Sequence, residues 1–178
     1  MTKFEILKSE TVFRGRVFDV RREDVCYPDG RVVVTDIVAH SGAAVMLPVD
    51  AEGRVLLVWQ YRHATGGMLL EIPAGTLEAD ESPEACAQRE LREEVGVGAG
   101  ELIRLGEFFP APGFSTEKMF LFLARDLSAD TAEPDEDEML SVERMPLDEV
   151  WDRVERGEIQ DAKTLLALYM AQPYLAAD

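Results

Sequence analysis

A chain of 178 residues, 47% hydrophobic and 30% charged, has the size and balance of a globular protein with one sizeable core. Acidic residues outnumber basic ones 35 to 18, and the net charge of −17 argues against nucleic acid as a partner. Cys26 and Cys86 are too few for a disulfide framework and form no CxxC pair. The polar start Met1–Glu10 does not read as a signal peptide, and no apolar run has membrane-spanning length. The expectation is a cytoplasmic protein with no membrane partner.

In chain order, Phe13–Tyr27 reads as a strand, with Val17, Phe18 and Val20 among charged neighbours; Phe18 reads as ordinary core from its residue type. Pro28-Asp29-Gly30 is a turn, and Arg31–Val38 resumes as a valine-rich strand, so the pair predicts an N-terminal hairpin. Ala43–Val49 and Val55–Trp59 flank the turn Asp50-Ala51-Glu52-Gly53 and predict a second hairpin. Leu69–Ile72 is a brief strand ended by Pro73 and Gly75. The clearest helix runs from Pro83 to Val95: Ser82 suits the N-cap, Pro83 the first helical position and Gly96 the position past the end. Leu102–Phe109 and Lys118–Ala124 read as strands, Thr131–Glu138 as an acidic loop, and Leu147–Arg156 and Ala162–Gln172 as helices parted by Gly157. The pattern is mixed α/β (α+β).

On the central helix, Glu90 and Glu94 are four residues apart and share a face, with Glu93 at its border. Ala87, Leu91 and Val95 fall on another stripe, which predicts an apolar back and a carboxylate front. Like charges at this spacing oppose the helix by about 0.2–0.5 kcal/mol per pair, and Glu93 and Glu94 stand where the macrodipole disfavours anions. Hard divalent cations would compensate. The alternative is a solvated acidic face paired with Arg89 and Arg92.

From Gly75 the chain runs five residues to Glu81, seven more to Arg89, then Arg89-Glu90-Leu91-Arg92-Glu93-Glu94-Val95-Gly96-Val97. This resembles the Nudix box in full, nine positions over 23 residues. The resemblance implies the Nudix fold, a mixed β-sheet sandwiched between helices, with an N-terminal antiparallel β extension over 1–40 and the hydrolase domain over 41–178. It implies Glu90, Glu94 and the carbonyl of Ala74 as metal ligands. Glu93 would be an auxiliary ligand with a catalytic share, and Gly75, Glu81, Arg89 and Gly96 would build the box. Leu70-Glu71-Ile72-Pro73-Ala74-Gly75, Pro112 fifteen residues past Val97, and the run Pro110–Glu117 are similar to the ADP-ribose pyrophosphatase branch. That branch implies Mg²⁺ (or Mn²⁺), two to three ions per site, hydrolysis of ADP-ribose to AMP and ribose 5-phosphate, and a homodimer.

By the same resemblance Glu136 is the general base and Glu138 a further metal or water contact, with the choice between them open; an acidic loop without a role is the alternative for both. Arg62, Gly113, Glu117, Arg16 and Phe18 are implied as substrate contacts. His40 is counted with them, although some relatives carry arginine there. His63 reads as solvated. Two other functions stay in view: pyrophosphatase action on another nucleoside diphosphate derivative, such as a nucleotide sugar or diadenosine polyphosphate, and a non-catalytic nucleotide-binding module, against which the intact box argues.

Overall fold

The computed structural model describes residues 3–132 and 140–175. The chain divides into two compact units, one of Met1–Gly42 with Phe109–Lys118, the other of Ala43–Phe108 with Met119–Asp178.

The first unit holds an antiparallel sheet of three strands in sequence order, β1 (Glu5–Arg14), β2 (Asp19–Cys26) and β3 (Val32–Ala39). The expected hairpin is the β2–β3 pair, and its turn closes where Gly30 N–H donates to Tyr27 O at 2.9 Å. The expected single strand from Phe13 is instead broken: the chain reverses at 15–18, Gly15 N–H donating to Phe18 O at 3.0 Å. Residues before the break form β1, an edge strand exposed along its whole length, so no buried stripe announces it in the sequence. Phe18, expected in the core, lies in that reversal and is 42% exposed. The Phe109–Lys118 segment joins this unit through Val38 N–H to Phe114 O (2.8 Å) and Thr116 N–H to Val38 O (2.9 Å).

The second unit carries two sheets, β10 (Leu140–Pro146)–β5 (Arg54–Arg62)–β6 (Gly67–Glu71) and β7 (Ala74–Thr76)–β4 (Ala43–Pro48)–β9 (Met119–Ala129)–β8 (Val97–Phe108). Only the β4–β9 pair is parallel among the named strand pairs. Alternation along the strands explains the layering. Val45, Leu47, Leu121 and Leu123 pack with Val150 of α2 (Leu147–Glu155) and Ala167, Leu168 and Ala171 of α3 (Ala162–Leu175). Their neighbours Ala44, Met46, Phe122 and Ala124 pack with Cys86, Ala87 and Leu91 of α1 (Pro83–Glu94). Helices therefore cover both faces, and β4 is buried at every position, as a run without polar alternation requires. No helix among the described residues is long and apolar enough to cross a membrane.

The second expected hairpin does not form. Between β4 and β5 the one β-bridge among the described residues is Val49–Val55, beside the Asp50–Arg54 turn. Beyond it each strand has both edges filled, β4 by β7 and β9, β5 by β6 and β10, so the two part into different sheets. β8 starts at Val97, five residues before the expected strand, because pairing with β9 carries it through Gly98 and Gly100. β7 and β10 are not legible in the sequence; β7 forms around Gly75 although Pro73 and Gly75 argue against a strand.

Candidate active site

α1 begins where expected: Ser82 Oγ accepts Ala85 N–H at 3.2 Å and Pro83 follows. It ends at Glu94 with Val95 as the cap, and Gly96 follows in the left-handed region at φ +70. The apolar stripe is as read, with Ala87, Leu91 and Val95 buried, and Cys86 is buried beside them. The carboxylate front is not open to water, however. Glu90 and Glu94 are 8% and 5% exposed, covered by the 74–76 strand. Glu94 Oε2 accepts the backbone N–H of Ala74 at 3.0 Å. A Cβ at position 75 would stand 1.7 Å from Glu90 Cδ, so only glycine lets β7 lie over that carboxylate.

Arg89 organises the rest. Its Nε and Nη2 donate to the two oxygens of Glu81 at 3.0 Å each, and Nη2 also reaches Thr76 O at 3.1 Å. Its Nη1 donates to Glu90 Oε1 at 2.5 Å and Glu93 Oε2 at 3.0 Å. The guanidinium holds the Glu81 carboxyl down at about 2, and Glu81 in turn raises the pKa of Arg89. Burial pushes the Cys86 thiol up to about 12, which disfavours a thiolate there.

Three carboxylates, Glu81, Glu90 and Glu93, thus share one guanidinium, while the fourth, Glu94, lies in the field of Arg62. Arg92 does not compensate them; its Nε turns back to Gln88 O at 2.9 Å. Among the described residues no three acidic, histidine or cysteine side chains already converge as a metal cage. The donor set nevertheless fits a hard divalent cation: oxygen ligands on successive turns, nearly buried, with a surplus of negative charge.

The other expected residues stand as follows. Arg62, at the end of β5, gives Nε and Nη2 to the two oxygens of Glu71 at 2.9 Å each. In the first unit, His40 and Glu117 are neighbours, Nδ1 to Oε1 3.9 Å, and His40 Nδ1 accepts Gly42 N–H at 3.0 Å. Thr116 Oγ1 accepts His40 N–H at 2.9 Å. Arg16 and Phe18 are exposed, and a Cβ at Gly113 would meet nothing within 4 Å. His63 is exposed and pairs with Tyr61 Oη at 3.2 Å through Nδ1. Glu136 and Glu138 lie outside the described residues.

Sequence reasoning missed Glu71 and Lys163 as a pair. Glu71 is 1% and Lys163 7% exposed, and Lys163 Nζ donates to Glu71 Oε2. The available signal was a lone acid in Leu69-Leu70-Glu71-Ile72 and a lone base in Ala162-Lys163-Thr164-Leu165, each a charge in an apolar run that needs a partner.

Comparison with known proteins agrees with this fold. The family described as NUDIX domain matches residues 39–168. The "ADP-ribose pyrophosphatase" of Bacillus subtilis (strain 168) is 40% identical over 168 residues, 93% of this chain and 91% of that protein. The "Methanol dehydrogenase activator" of Bacillus methanolicus is 36% identical over the same shares of the two chains. A solved structure titled "Crystal structure of ADP compounds hydrolase" superposes with a TM-score of 0.85 at 31% identity, covering 98% of this chain and 95% of that one.

Proposed function

The chain belongs to the Nudix family and is a Nudix hydrolase, and from that premise we propose that it cleaves the pyrophosphate bond of ADP-ribose, giving AMP and ribose 5-phosphate. The observation that carries the reading is the pair Glu90 and Glu94, nearly buried on successive turns of α1, with Glu94 pinned by Ala74 N–H. Two similar proteins support the substrate, since one is named for ADP-ribose and the other for ADP compounds.

Glu90 and Glu94, with Glu93, Glu138 and the Ala74 carbonyl, would hold the divalent metal, Mg²⁺ or in its place Mn²⁺, two to three ions per site. When bound, the metal neutralises the pyrophosphate and makes water more acidic. Glu136 takes the proton of the attacking water, with Glu138 the competing base. Arg62 offers Nη1, the edge of its guanidinium that Glu71 does not take, to a phosphate oxygen. Arg16, Phe18, His40, Gly113 and Glu117 contact the adenosine or the distal ribose. A homodimer belongs to this reading: the first unit exposes Ile6, Leu7, Val12, Phe13, Val32 and Val34, an apolar surface of the kind a second copy covers. The free thiols of Cys26 and Cys86 suit a reducing cytoplasm.

The test is product release from ADP-ribose, a nucleotide sugar and a diadenosine polyphosphate, each at equal concentration with Mg²⁺. ADP-ribose is expected to lead in kcat/KM. A different leader keeps the family chemistry and overturns the substrate. Nucleotide binding with no metal-stimulated hydrolysis would make the protein a binding module.

A further inference from the structure

At the end of β6 and the first turn of α3 lies a second group of charges, of which the chemistry above uses Arg62 alone. Glu71 is buried to 1% exposure, and both of its oxygens are occupied, Oε1 by Arg62 Nε and Oε2 by Arg62 Nη2 and Lys163 Nζ. Lys163 also faces Asp161 Oδ2 at 3.1 Å. Asp161 accepts the N–H and hydroxyl of Thr164 at 2.9 and 2.6 Å, and Thr164 Oγ1 accepts Ile72 N–H at 3.0 Å. Two residues further on, Ala74 N–H holds Glu94. The segment from Glu71 to Ala74 is therefore fastened to α3 at one end and to α1 at the other.

Arg62 differs from its partners in being 39% exposed at the side chain. An arginine at a strand end has many rotamers, and a bidentate carboxylate selects the one that places the planar fork in a single orientation. Lys163 balances the group, with Arg62 and Lys163 against Glu71 and Asp161. Without Lys163, two carboxylates would face one guanidinium, and the positive potential that Arg62 presents outward would be cancelled.

We propose that Glu71 and Lys163 are positioning residues that fix the Arg62 guanidinium, and leave its outward positive potential uncancelled, for contact with a substrate phosphate. The proposal rests on the hydrolase reading above. Lys163 itself touches no substrate; its effect passes through Glu71 to Arg62.

A double-mutant cycle on full-length protein tests it, with kcat and KM for ADP-ribose measured on wild type, Arg62→Ala, Lys163→Met and the double variant. Lys163→Met is expected to raise KM about tenfold to a hundredfold with a smaller change in kcat, by analogy with partners that orient a ligand from outside. In the Arg62→Ala background the same substitution should change KM less than about twofold, because the residue it acts through is gone. Additive losses in an active enzyme overturn the proposal alone, as does a Lys163→Met enzyme with unchanged KM. Wild-type protein without metal-stimulated turnover overturns the hydrolase reading, and this proposal with it. Should Lys163→Met fail to fold, Lys163→Gln, which keeps a hydrogen bond but not the charge, replaces it in the cycle under the same criteria.

Discussion

Two groups of buried charge lie in the larger unit and are built on opposite plans. Around α1, Glu81, Glu90 and Glu93 face the single guanidinium of Arg89, and Glu94, one turn on from Glu90, holds Ala74 N–H. Around the first turn of α3, Arg62 and Lys163 face Glu71 and Asp161, charge for charge. A balanced group satisfies itself, which is what buried ions need if they are not to cost several kcal/mol each. The α1 group holds more carboxylates than Arg89 offsets, even with Arg62 in reach of Glu94, in a place with little water. Burial alone therefore does not mark a binding site in this protein; the surplus does. The neutral group supports, and the surplus group is built to take up a cation.

The largest expected effect separates the two plans. Glu94→Gln keeps an oxygen to accept Ala74 N–H but removes the charge, so AMP release should fall about a thousandfold, the scale set by losing a main electrostatic stabiliser. The melting temperature should hold or rise, since a repulsive charge is gone. Undiminished turnover would erase the distinction between the groups.

A smaller effect follows from the close approach at position 75. Gly75→Ala places a methyl on the Glu90 carboxylate, and overpacking of this kind costs about 1–3 kcal/mol. Thermal unfolding and turnover should fall together, with the metal requirement shifted to higher concentration. An alanine variant with wild-type metal dependence would show that Glu90 has room to move.

The smallest effect sharpens the role of Arg89. Glu81 has a folded-state pKa of about 2 against an ordinary 4.5. A depressed carboxyl contributes stability that is complete above the unfolded value and is lost as pH falls through the folded one. The denaturation midpoint of Glu81→Gln should thus lie below wild type at neutral pH, and the gap should close between about pH 4.5 and 2. A gap independent of pH would mean that Glu81 braces Arg89 by shape rather than charge.

Much of this site is legible in the sequence because it is local. Ser82, Pro83 and Gly96 delimit α1, and the spacing of Glu90 and Glu94 puts both on one face, without any knowledge of the rest of the chain. The reason for Gly75 is not local: the sequence only places it in the box, whereas the neighbour that forbids a side chain is Glu90, fifteen residues away. Likewise Glu71 and Lys163 are 92 residues apart, and only the packing of α3 on the sheet brings them together. The strands show the same divide. β4 is plain from its apolar run, but β1 is an edge with nothing buried, and the partners of β4 and β5 are chosen by distant strands rather than by the turn that joins them.

The central claim is that the acidic flank of α1 holds a divalent metal. Titration of Mn²⁺ into nucleotide-free protein, followed by electron paramagnetic resonance, tests it most directly, comparing wild type with the variant carrying both Glu90→Gln and Glu94→Gln. The account predicts saturable binding by wild type, displaced by Mg²⁺ and lost in the double variant while its melting temperature is retained. Equal Mn²⁺ binding by the two proteins would contradict it.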